Sequence, residues 1–140
     1  MEIYQYVGDE VVLTWKIKEG ESVNHCLQAY FSYADYLQNR ADYYTSKYGI
    51  IPFFKAGMHI GQVTVVEVGE IKREIAYHGD TLNIAARIQD QCKVYKKPFL
   101  VSESVTEYIK LPCEFEFQKI EEKTLRGKLT TTVIYGVLKI

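Results

Sequence analysis

No apolar run in this chain approaches the roughly 18 residues that a membrane-spanning helix needs. The opening residues "MEIYQYVGDE" hold neither a basic stretch nor an apolar signal core. A cytoplasmic segment without membrane contact is the expectation. Excess charge of one sign is also missing: 17 Lys and Arg against 18 Asp and Glu leave a formal net charge of −1, so no nucleic acid partner is expected. Cysteine is scarce. Cys26, Cys92 and Cys113 are too few and too scattered for a disulfide framework, and their odd number fits reduced thiols. His25, His59 and His78 form no Cys/His pair at ligand spacing, which argues against zinc. No repeat, low-complexity tract or Pro/Gly/Ser linker interrupts the chain, so residues 1–140 read as one domain with room for a two-layer core.

What the chain does have is ordinary globular composition, 47% hydrophobic and 25% charged, arranged as alternating strand and helix signals. "EIYQYV" and "EVVLTWKI" are β-branched and aromatic runs separated only by Gly8 and Asp9, a hairpin pattern that presents Asp9 at the sheet's end. From Ser22 to Tyr48 apolar positions recur at three and four, through Val23, Leu27, Tyr30, Ala34, Leu37, Ala41 and Tyr44, and Gly49 and Pro52 supply the stop. One long amphipathic helix is predicted there. "FFKAGMHI" and "QVTVVEV" read as strands around Gly61, and "REIAYH" as a third after the turn "GEIK". Asp80 is placed as the cap of a helix through about Cys92 and Ser102 as the cap of another through about Lys110, with "FEFQKI" and "TTTVIYGVLKI" as a final hairpin. The class is α+β, a largely antiparallel sheet covered by helices.

The stretch "AYHGDTLNIAARIQDQC" holds the most informative pair. On a helix that starts at Asp80, Asn83 and Arg87 are four residues apart and share one stripe. Leu82, Ala85, Ala86 and Ile88 can serve packing, which leaves an amide and a guanidinium to converge on a polar ligand with a planar, anionic part. The structural alternative is a solvated Asn83 and a surface Arg87 in an ion pair.

Read in order, "YVGDEVVLTW", "FKAGMHIGQVTVVEVG" and "YHGDTLNIAARIQ" resemble the catalytic domain of the class III nucleotidyl cyclases, the adenylate and guanylate cyclase family. The resemblance runs from about Ile3 to about Ser102, with a weaker match at "LRGK". It implies a ferredoxin-like core that converts a nucleoside triphosphate to its cyclic monophosphate with release of pyrophosphate. By this resemblance Asp9 matches one of two aspartates that hold a pair of Mg²⁺ or Mn²⁺ ions. Asn83 matches the residue that orients the ribose, and Arg87 the one that stabilises charge at the reacting phosphate. Lys128 falls near a lysine that contacts the terminal phosphates, with an exposed hairpin lysine as the alternative. Gly57, His59 and Gly61 match a structural stretch, and His59 reads as a packed or hydrogen-bonded histidine rather than a catalyst. Family members work as dimers with sites at the interface. A homodimer is therefore expected, Asp9 of one subunit facing Asn83 and Arg87 of the other.

The sequence also departs from the family pattern. The first metal aspartate belongs to a strand and turn of the form Phe-x-Asp-x-x-Gly-Phe ahead of the Gly-Asp hairpin, and nothing here matches it. The resemblance thus implies an N-terminally truncated catalytic core, a fragment of a longer cyclase with little or no activity by itself. The alternative is a degenerate member acting as a regulatory or dimerisation module, its 12 tyrosines forming a binding face. Without the missing strand, "EVVLTWKI" and "FFKAGMHI" would keep unpaired edges. They are expected to close up side by side and parallel, or to be completed by strand exchange between two copies. The base-reading positions are Gln5 and Ala76, and neither carries the residue typical of adenylate or guanylate cyclases. ATP is the expected substrate because adenylate cyclases are frequent in the family, with GTP or a pyrimidine nucleotide as alternatives.

Overall fold

The N-terminal hairpin forms as its local sequence dictates. In a computed structural model that describes residues 1–17, 21–69, 74–109, 114–124 and 131–140, β1 (Glu2–Val7) and β2 (Glu10–Thr14) pair antiparallel, with Val7 opposite Glu10. Gly8 has φ 61°, a left-handed conformation that a Cβ would penalise and that suits the first central position of a two-residue hairpin turn. A register shift between Ile3 and Gln5 marks an irregularity in β1.

The single helix expected from Ser22 to Tyr48 is two helices, α1 (Glu21–Asn39) and α2 (Ala41–Tyr48). At Arg40 the backbone turns to φ −109° and ψ 19°, and its amide donates to Leu37 O at 3.2 Å, an i to i−3 bond that tightens the end of α1. Burial explains the break. Val23, Cys26, Leu27 and Leu37 are buried, whereas α2 has no buried residue, so packing holds nothing in register beyond Leu37. Ala34 and Tyr48 of the expected apolar stripe are exposed. Arg40 instead lies over the rings of Tyr36 and Tyr43, 5.5 and 4.8 Å from their centroids, and donates to the Tyr36 hydroxyl at 2.6 Å. The Tyr30 hydroxyl donates to Phe54 O at 3.1 Å. Met1–Phe54 and Tyr108–Glu114 make up one compact unit.

Lys55–Glu107 and Phe115–Ile140 make up the second. Its sheet has the order β3-β6-β8-β7, from β3 (Ala56–Met58), β6 (Phe99–Ser102), β8 (Thr131–Lys139) and β7 (Phe115–Thr124). The β3–β6 pair is parallel and the other two are antiparallel, so the sheet is mixed. On it packs α3 (Asp80–Tyr95), whose Ile84, Ile88 and Cys92 recur every four residues and cluster with Leu100 and Ile134. Burying each isoleucine is worth about 1.5–3 kcal/mol. The Cys92 thiol donates to Ala56 O at 3.3 Å, a further tie between α3 and β3. β4 (Thr64–Val68) and β5 (Glu74–His78) form a separate antiparallel ribbon.

Several expectations are corrected. Gly79, not Asp80, is the cap of α3, Asp80 is its first residue, and no side-chain capping bond forms there. The helix runs three residues past Cys92 and ends at Lys96, which adopts φ 52°. α4 (Glu103–Thr106) is a single turn after Ser102, and the Ser102 side chain makes no capping bond. Strand β6 is absent from the sequence reading. β2 and β3 do not pair: among the described residues the strands form three sheets, β1-β2, β3-β6-β8-β7 and β4-β5.

Candidate functional site

The face of α3 that Ile84 and Ile88 bury determines where Asn83 and Arg87 go. Each precedes a buried isoleucine by one residue, so the polar stripe lies about 100° round the helix from the core stripe. Asn83 is exposed and Arg87 half-buried. Their shared stripe is as expected, but the packing differs in detail: Ala86 is exposed, and Ile84 takes a core position. Beneath them β3 approaches at Gly57, where any Cβ would overlap the carbonyl oxygen of Ala85 and the amide nitrogen of Gln89. No side chain fits between strand and helix. That contact brackets Arg87 and sets the height of α3 above the sheet.

His59 follows β3 and is hydrogen-bonded, as expected. Its Nδ1 lies 2.8 Å from Ser102 Oγ and 3.3 Å from Ser104 Oγ, and the two hydroxyls are 2.8 Å apart. Ser104 also donates to Ile60 O at 3.1 Å and accepts from Ile60 N at 3.4 Å. At the opposite end of this segment, Thr81 of α3 donates to Gln62 O at 2.6 Å. Ser104 and Thr81 escaped the sequence reading, which placed Ser102 only as a helix cap. The serines in "VSES" meet His59 only because β3 and β6 run parallel with Met58 opposite Val101.

The remaining candidates fall in different parts of the chain. Asp9 in the hairpin turn and Gln5 on β1 are both exposed and belong to the first unit, whereas Asn83 and Arg87 belong to the second. Ala76 lies on β5 opposite Val66. Lys128 lies outside the described residues. Among the described residues no three His, Cys, Asp or Glu side chains gather in a group that could hold a metal ion. A two-ion site therefore does not fit the described residues of one copy.

The sequence matches the profile of the adenylate and guanylate cyclase catalytic domain over residues 51–138. That span contains the strand end around His59, all of α3 and the β7–β8 hairpin, and it leaves the β1–β2 hairpin outside. Adenylate cyclase 2 of Rhizobium meliloti (strain 1021) is 27% identical over 126 residues, which is 90% of this chain and 35% of that protein. This chain thus spans about a third of the length of that relative. The adenylyl cyclase CyaB from P. aeruginosa superposes with a TM-score of 0.80 at 16% identity, over 99% of this chain and 71% of that one. A bacterial light-regulated adenylyl cyclase superposes with a TM-score of 0.70 at 16% identity, over 97% and 38%. The α+β core is accordingly that of a class III cyclase catalytic domain. The chain belongs to the adenylate and guanylate cyclase family, whose members generally depend on divalent metal. No described helix is long and apolar enough to cross a membrane.

Proposed function

We propose that residues 1–140 form part of the catalytic domain of an adenylate cyclase-type lyase that makes cyclic AMP and pyrophosphate from ATP in cytoplasmic signalling. The observation that carries this reading is the Asn83–Arg87 stripe on a helix seated backbone to backbone on β3 at Gly57. In the reaction the ribose 3′-oxygen bonds to the α-phosphorus, the bond to the bridging oxygen breaks, and pyrophosphate leaves. The Asn83 amide holds the ribose in line, where a displacement of about 1 Å costs about 10²-fold in rate. The Arg87 guanidinium shares its charge with the phosphoryl oxygens, and losing such a donor costs about 10²-fold or more. Gln5 offers a donor and an acceptor to a base edge, Ala76 offers no side-chain hydrogen bond, and Lys128 is assigned to the terminal phosphates. ATP is supported by the names of the relatives.

Asp9 is the carboxylate assigned to the divalent ions. Because the sequence lacks a match to the family's first metal aspartate, turnover by this chain alone is expected to be low. The site is shared in a homodimer, Asp9 of one copy serving Asn83 and Arg87 of the other, with strand exchange as one route to it; the second metal carboxylate is supplied by neither copy. Exposure of Val65 and Val68 on the two-stranded β4–β5 ribbon supports a partner-facing surface.

The test offers the chain all four ribonucleoside triphosphates with Mn²⁺ and identifies cyclic products by mass spectrometry. At most a trace of cyclic AMP is expected from this chain, robust turnover would show that the missing carboxylate is not required, and a different cyclic product would reassign the base. Asp9→Asn and Arg87→Ala should each lose about 10²-fold or more in turnover alone, and their equal mixture should regain about a quarter of wild-type turnover, since mixed dimers keep one intact site. Absence of recovery in folded mixtures rules out shared sites. The competing reading, a regulatory or dimerisation module, is favoured by exposed Tyr33, Tyr36, Tyr43 and Tyr48. It requires partner binding that survives Asp9→Ala and Arg87→Ala together.

A further inference from the structure

We propose that His59 is a positioning residue for the Asn83–Arg87 stripe. It ties the segment after β3 to the start of α4, and that segment holds the first turn of α3. The role in turnover rests on the cyclase reading above, while the mechanical tie stands on geometry alone.

The β3–β6 ladder ends with Met58 opposite Val101, so His59 and Ser102 come next in register. Side chains take over there. Ile60 O can only accept, so the Ser104 proton goes to it, which orders the rest: Ser102 donates to Ser104 Oγ, and His59 Nδ1–H donates to Ser102 Oγ. Every hydroxyl in the chain both donates and accepts. Ser102 is 1% exposed, so water cannot readily replace a lost donor, and an unsatisfied buried hydroxyl is costly.

Two residues further on, the same segment meets α3. A Cβ on Gly61 would come within 2.5 Å of Thr81 Oγ1, and the Thr81 hydroxyl donates to Gln62 O. Residues 59–62 are therefore gripped by the start of α4 on one side and by the first turn of α3 on the other. Gly57 anchors the helix further along, at Ala85 and Gln89. Releasing His59 leaves the Gly57 contact in place and frees the first turn, so Asn83 is displaced more than Arg87.

The test is amide hydrogen exchange on the whole chain with wild type, His59→Leu and His59→Asn, whose amide can place an N–H where Nδ1–H was. In His59→Leu, exchange over residues 80–86 should quicken about tenfold, with β7–β8 unchanged, as expected for loss of one buried hydrogen bond and a local opening. His59→Asn should restore exchange to within about threefold of wild type. Faster exchange across the whole second unit, or none over 80–86, overturns the inference. If His59→Leu does not fold, Thr81→Val severs only the far link and should quicken the same residues; an unchanged profile there overturns it equally. In the turnover assay His59→Leu should lower kcat about tenfold with KM within about threefold, and His59→Asn should recover kcat. Equal loss in both variants is the contrary result. Because exchange is read without turnover, the tie is tested whether or not this chain makes cyclic product.

Discussion

At Gly57 the sheet and α3 touch through backbone alone, so the smallest added group has nowhere to go. Gly57→Ala is expected to destabilise the protein by at least about 1–3 kcal/mol, read from urea unfolding. Ile88, fully buried, should lose about 2–5 kcal/mol as Ile88→Ala. Arg87→Ala should behave in the opposite way, with kcat reduced about 10²-fold and a melting temperature close to wild type; a large loss of stability would assign Arg87 to the scaffold. The buried thiols make a pH prediction. Burial pushes Cys92 up to about 11 and Cys26 up to about 12. Below about pH 7.5 both thiols are neutral in folded and unfolded chains, so they add no pH dependence there. Above it the unfolded chain sheds protons that the folded chain keeps, and stability falls toward pH 11 by up to about 1.4 kcal/mol per unit for each thiol. Urea midpoints between about pH 8 and 10.5 check this, and Cys92→Ala should flatten the slope. The Asn83–Arg87 pairing was legible because four-residue spacing is a property of any helix. The need for Gly57 was not, because it depends on which helix crosses above it.

Among the elements, α2 and α3 are opposites. α3 buries Ile84, Ile88 and Cys92, whereas α2 buries nothing, and its cap residue Arg40 and its Lys47 lie against tyrosine rings. Exposed cation–ring contacts do little to hold an element in place. Amides of α2 are therefore expected to exchange at least about 100-fold faster than those of Ile84–Ile88, and equal protection would show that α2 has an inward face after all. The end of α2 at Gly49 was readable, because a glycine with φ 75° after a run of tyrosines is a local stop. Its start was not. An apolar period of three and four continues through Arg40, and only the lack of burial past Leu37 separates the two helices. β6 was hidden for a related reason: its four residues are all buried, so it lacks the alternation that marks a half-exposed strand.

For the whole molecule, the division of the candidate residues between two units governs what is expected of a single chain. With no described group of three His, Cys, Asp or Glu, Mn²⁺ at about 1 mM should move the melting temperature by less than about 1 °C. A larger shift in the absence of nucleotide would reveal a preformed ion site. The sequence by itself determined the β1–β2 turn at Gly8 and Asp9, the polar stripe of α3, the final hairpin and the family pattern, because each depends on residues a few positions apart. The tertiary structure decided the break at Arg40, the central place of β6, the three separate sheets and the union of His59 with Ser102. Those two residues are 43 positions apart, and only the parallel pairing of β3 with β6 makes them neighbours. Backbone propensity and side-chain period act over a few residues, whereas register between strands is set by what the whole core can bury.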